Sequence, residues 1–137
     1  MVGIVVVTHG KLAKELIEAV RFVLSSNPQV KMVGVCLDPD REFENFKQDI
    51  KNAIKKVKEK DGTLLVTDMF GGTPSNISLT FLEENKVEVV SGVNLPMLLK
   101  LATLKESVTL EEAVKTAESA GKDNIIVASR LLHDRSS

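Results

Sequence analysis

His9 closes the short apolar run "GIVVVTH", and Gly10 and a helical pattern follow at once. Asp68 closes a second run, "TLLVTD", and leads into "MFGGTPSN". An imidazole presents a nucleophilic nitrogen near neutral pH, and a carboxylate that accepts its Nδ1 proton leaves Nε2 as the attacking atom. The stretch "GGTPSN" adds a third part. Gly71 and Gly72 let the backbone approach a ligand closely. Thr73 reads as an N-cap and Pro74 as the first helical residue, so the helix start offers free N–H groups and partial positive charge to an anion. Nucleophile, orienting carboxylate and anion site are the parts of covalent phosphoryl carriage. The phosphoryl oxygens would rest against the N–H groups from Gly72 to Ser75, with the Thr73 hydroxyl as an extra donor. A blander reading makes His9 a polar strand end, Asp68 a turn residue and the glycines a tight turn. No G-x-x-x-x-G-K-[ST] loop occurs, so nucleotide hydrolysis has little support.

These residues need elements to hold them. Strands are expected at 3–8, 30–37, 63–68 and 86–92, each short and rich in β-branched residues, with a fifth, "NIIVAS", at 124–129. Helical stripes run over 11–25, from Asp38-Pro39 to about Lys60, from Thr73-Pro74 onward, from Pro96, and from a capping box at Thr109/Glu112 to near Gly121. Strands alternating with helices, each strand apolar on both faces, imply an α/β fold: a doubly wound, mostly parallel five-stranded sheet covered by helices on both sides. The central order 2-1-3-4 is the simplest, and it puts the winding reversal between strands one and three. Ligands bind at the carboxyl ends of the strands at such a reversal, where His9 and Asp68 both lie. The convergence on one crevice is what favours chemistry over the blander reading.

Composition narrows the classes. The chain has 137 residues, 43% hydrophobic and 27% charged, with a formal net charge of −1. That suits one ordinary globular domain, assigned to 1–130, with 131–137 as a frayed tail. There is no Trp or Tyr and no basic block interleaved with aromatics, so no nucleic-acid partner is expected. The single Cys36 cannot form an internal disulfide and reads as a small core residue. No signal-peptide pattern and no apolar run of membrane-spanning length is seen, which points to the cytoplasm. Neither a cofactor nor a metal is called for.

The segments "VVVTHG", "VTDMFGGTPSN" and "SGVNLPML" (91–98) together resemble the IIA component of the mannose family of the bacterial phosphoenolpyruvate:sugar phosphotransferase system (PTS). The resemblance spans about 1–130. It implies that His9 takes a phosphoryl group from the phosphocarrier HPr and passes it to a IIB component, which phosphorylates sugar entering through the membrane IIC/IID components. It further implies a homodimer in which the last strand, antiparallel to its neighbour, is exchanged between subunits. Family members often carry a fused IIB domain, so here IIB is expected as a separate polypeptide. A docking rim for these proteins is expected at Lys11, Leu37, Phe70 and Leu95. Asn94 would either touch the docking protein or brace its own loop.

Three alternatives differ in identifiable features. A histidine phosphatase would carry Arg before the histidine, but position 8 is Thr. Such an enzyme also needs an arginine clamp, and the arginines at 21, 41, 130 and 135 are not expected to gather at the crevice. The phosphotransfer subunit of dihydroxyacetone kinase usually lacks the Gly-Gly-Thr-Pro pattern. A docking or regulatory module would leave His9 unphosphorylated.

Overall fold

The computed structural model describes residues 1–136, with side chains through residue 133. Four strands, β1 (Gly3–His9), β2 (Met32–Leu37), β3 (Thr63–Thr67) and β4 (Val87–Ser91), form one parallel sheet in the order β2-β1-β3-β4. This is the expected central order. The helices are α1 (Leu12–Leu24), α2 (Phe43–Lys56), α3 (Gly72–Leu79), α4 (Leu95–Ala102), α5 (Leu110–Asp123) and α6 (Ala128–Ser136).

Successive strand residues point to opposite faces, so β1 feeds two cores at once. Ile4 and Val6 pack among residues of α1, α4 and α5, whereas Val5 and Val7 pack with Phe46, Ile50 and Ile77 of α2 and α3. All four of these β1 residues are fully buried. A one-residue slip would put Gly3 in the place of Ile4, or Thr8 in the place of Val7, and lose about 2 kcal/mol of burial there. That fixes where the strand ends and hence where His9 stands. The adjoining ends follow from the register: His9 pairs with Leu37, Val7 with Thr67, and Thr67 with Ser91.

Some boundaries differ from the expectations. The expected helix over 39–60 is shorter, running from Phe43 to Lys56. The segment 38–41 is a turn in which the Arg41 N–H donates to the Asp38 carbonyl at 3.0 Å. The third helix begins at Gly72 with Gly71 at the N-cap, so Thr73 lies inside the first turn and does not cap it. Thr109 does cap α5, its side chain accepting from the Glu112 N–H. Cys36 is half-buried and packs against the α1 side of the core.

The largest departure is at the C-terminus. Among the described residues no fifth strand joins the sheet. Asn124 ends α5, its Nδ2 donating to the Ala120 carbonyl at 2.8 Å, and helix returns at Ala128. Residues 125–127 between them are irregular, with Ile125 77%, Ile126 58% and Val127 48% exposed. An apolar β-branched stretch becomes a strand only by pairing with a neighbour, and among the described residues this stretch pairs with none. The segment from 128, read as strand end and frayed tail, is helical through Ser136.

Candidate active site

β1 delivers His9 to the carboxyl edge of the sheet, and local bonds fix the exit of the chain. Thr8 is fully buried, and its Oγ1 accepts the Ala13 N–H at 2.7 Å, tying the strand end to the first turn of α1. Gly10 makes the turn between them with φ 56°, and its N–H donates to the Leu37 carbonyl at 2.8 Å. The residue where a phosphatase would carry arginine is thus an internal helix support.

β3 delivers Asp68 beside the imidazole. His9 Nδ1 lies 2.8 Å from Asp68 Oδ2, and the same oxygen accepts the His9 backbone N–H at 3.1 Å. The other oxygen, Oδ1, accepts the Met69 N–H at 3.1 Å. The carboxylate is therefore held through both oxygens. An acceptor on Nδ1 favours the tautomer with its proton there, which leaves the Nε2 lone pair unprotonated. The His9 side chain is 47% exposed and that of Asp68 only 14%, so the imidazole faces solvent while the carboxylate is shielded.

The far side of the ring meets the start of α3. A methyl group added to Gly72 would stand 3.2 Å from both His9 Cε1 and Nε2. Gly71 has φ 98° and ψ 163°, a conformation essentially confined to glycine, and Gly72 has φ 81°. This backbone folds the chain close to Nε2 and opens a helix that has no side-chain cap. First-turn N–H groups have no intrahelical acceptor, and Pro74 has none to leave unpaired. An anion bound at Nε2 therefore lies at the positive end of α3. The loop is steadied from behind by Thr67, whose hydroxyl lies 2.7 Å from Ser91 Oγ and 3.2 Å from the Met69 carbonyl.

The remaining candidates divide. Thr73 is exposed and lines a cleft of about 430 Å³ together with His9, Gly10, Leu37, Asp38, Pro39, Arg41 and Phe43. Ser75 is fully buried, its hydroxyl without a hydrogen-bond partner among the described residues, so its side chain is shut off from solvent. Lys11 is exposed at the start of α1, and Phe70 is 76% exposed on the loop after Asp68. Leu95 is half-buried against the core. Asn94 is engaged within the chain: its Oδ1 accepts the Met97 N–H at 3.1 Å and its Nδ2 donates to the Gly121 carbonyl at 3.0 Å. Of its two expected roles, these contacts are those of the brace. Arg41 is the residue that sequence reasoning missed. It lines the cleft because 38–41 turns back beside the end of β1, and the Asp-Pro pair at 38–39 was the available sign of that turn.

Residues 3–118 match the family model EIIA-man, described as PTS system fructose IIA component. The chain is 24% identical over 133 residues to the PTS system fructose-specific EIIA component of Bacillus subtilis, covering 96% of this chain and 90% of that protein. It is 31% identical over 112 residues to the PTS system sorbose-specific EIIA component of Lacticaseibacillus casei, covering 81% and 79%. Among solved structures, the PTS IIA protein associated with the fucose utilization operon from Streptococcus pneumoniae superposes with a TM-score of 0.80 at 25% identity, covering 96% of each chain. With most of its length inside the family model, and with a relative above 30% identity along most of both chains, this protein belongs to the EIIA-man family of PTS IIA components.

Proposed function

We propose that this chain is a phosphoryl carrier that accepts a phosphoryl group from phospho-HPr on His9 Nε2 and passes it to a IIB component. The observation that carries the reading is the placement of the ring, with Nδ1 on Asp68 at 2.8 Å and Nε2 against Gly72 at the start of α3. In the first step the Nε2 lone pair attacks phosphorus, a new N–P bond forms, and the N–P bond to the donor histidine breaks as that imidazole leaves with the electron pair. The Nδ1 proton stays between His9 and Asp68, whose charge stabilises the ring as Nε2 takes on phosphorus. N–H groups at the start of α3 and the Thr73 hydroxyl receive the phosphoryl oxygens. The second step runs in reverse, with a histidine or cysteine of IIB as the attacking group. Leu37, which lines the His9 cleft, and Phe70, exposed on the loop after Asp68, offer a partly apolar rim for a contact that must release after each transfer. The reaction belongs in the cytoplasm, and no helix among the described residues is long and apolar enough to cross a membrane.

The test is incubation with phosphoenolpyruvate, enzyme I and HPr, followed by mass spectrometry of the intact chain and its peptides. Label on the His9 peptide is expected; a chain that binds HPr but takes no label would be a docking module instead. Asp68→Asn separates orientation from bulk. The carboxylate accepts from three N–H donors through two oxygens, whereas the amide keeps one acceptor and turns an NH2 group toward the other donors. A loss of about 10²-fold in transfer rate is expected, less than the roughly 10⁴-fold seen where an orienting carboxylate serves a histidine base. A folded Asp68→Asn chain with an unchanged rate would remove Asp68 from the site.

The proposal includes a homodimer. β4 is the outer strand of the sheet, half-buried throughout, and Ile125 lines a groove with Val89, Val90 and Ser91 of that strand. The exposed apolar segment 125–127 beside an open edge suits strand exchange with a second copy. Light scattering is expected to give twice the chain mass, and deletion of 124–137 to give a monomer. A stable dimer after that deletion would place the interface elsewhere.

A further inference from the structure

We propose that Arg41 is a second phosphoryl-binding residue, set by Asp49 to donate to the oxygens of the group on His9. The inference rests on the phosphoryl-carrier reading and extends it to a further residue of the cleft. Arg41 is the one cation among the residues lining the cleft that holds His9 and Thr73. Its place follows from the register. His9 is paired with Leu37, and the turn 38–41, closed by the Arg41 N–H on the Asp38 carbonyl, begins at the next residue.

The guanidinium is preset. Nε donates to Asp49 Oδ2 at 2.9 Å and Nη2 to Asp49 Oδ1 at 2.7 Å, a two-point fork that fixes the plane of the group. Nη1 keeps both its N–H donors without a partner among the described residues. The hydrogen bond to Asp49 holds the Arg41 pKa above its ordinary value, with the charges of Asp49, Asp38 and Glu42 acting in the same direction. The exposed carboxylate of Asp38 lines the same cleft, so the cleft has no large positive field. What Arg41 contributes is directional donation to a phosphoryl oxygen within the cleft that it lines with His9 and Thr73. Ordering by Asp49 lowers the entropic cost of that bond. Asp49 is by this account a positioning residue.

Phosphoramidate, a small-molecule phosphoryl donor, separates this role from protein docking. The wild-type chain, Arg41→Ala, Arg41→Lys, Asp49→Asn and the Arg41→Ala/Asp49→Asn pair are each incubated with it, and phospho-His9 formation is timed by mass spectrometry. Arg41→Ala is expected to slow the reaction about tenfold, below the 10²-fold or more typical of a buried donor because the site is open to water. Arg41→Lys is expected to recover part of the rate. Asp49→Asn is expected to slow the wild-type chain but not the Arg41→Ala chain, a dependence that a purely structural ion pair would not give. Equal rates for wild type and Arg41→Ala would overturn the proposal, as would a defect seen with phospho-HPr alone. A wild-type chain that takes no label from either donor would overturn the phosphoryl-carrier reading itself, and this role with it.

Discussion

His9→Ala is expected to abolish acid-labile labelling from phospho-HPr, while His133→Ala takes label at the wild-type rate. The expectation rests on placement. His9 is the histidine at the carboxyl edge of the sheet, where Asp68 occupies Nδ1 and the start of α3 lies beside Nε2. His133 is exposed on α6, beyond the end of the sheet fold. Alanine at position 9 removes the attacking atom, and neither the buried strand nor its register depends on the lost ring, since Ile4 to Val7 carry the packing. The variant should therefore fold and still compete with wild type for HPr. Acid-labile label retained in His9→Ala would sink the assignment.

The second large effect is expected at Gly72. A side chain there meets two penalties. The backbone at φ 81° disfavours any L-residue, at a cost of about 1–3 kcal/mol, and the new methyl stands 3.2 Å from Nε2, where phosphorus must arrive. Displacement of the ring or blockage of the approach is expected to lower transfer on the order of 10²-fold or more. Gly71→Ala provides the comparison. Its backbone is equally unsuited to alanine, at φ 98° and ψ 163°, but the added methyl would meet nothing within 4 Å. Gly72→Ala should therefore lose more transfer than Gly71→Ala at similar loss of thermal stability, measured side by side. Equal transfer in both would mean that loop strain, and not the space beside Nε2, limits the reaction.

The crevice was legible in the sequence for a physical reason. β1 and β3 are continuous apolar runs, which only a sheet covered on both faces accommodates, and the winding of such a sheet brings their ends together. His9 and Asp68 follow from that alone. Turns were harder. Asp38-Pro39 fits both a helix start and the first two positions of a β-turn, and the turn won, with Asp38 accepting from Arg41. That choice moved the start of α2 to Phe43 and put Arg41 at the cleft, which spacing alone did not reveal. Asn94 caps α4 by accepting the Met97 N–H, and its bond to Gly121 needed the packing of α4 on α5 to be seen. "NIIVAS" has the composition of a strand, but composition does not supply the neighbouring edge that a strand requires. On the proposed reading the site meets proteins and not the transported molecule, so none of its residues carries the identity of the sugar.

Phosphorus is expected to bond to Nε2 of His9 while Nδ1 stays on Asp68. Nitrogen-15 and phosphorus-31 NMR of the chain, labelled in its histidines and phosphorylated through enzyme I and HPr, reads this directly. A one-bond nitrogen–phosphorus coupling at Nε2 of His9, with Nδ1 protonated, is the expected result. Coupling at Nδ1, or phosphorus on any residue other than His9, would contradict it.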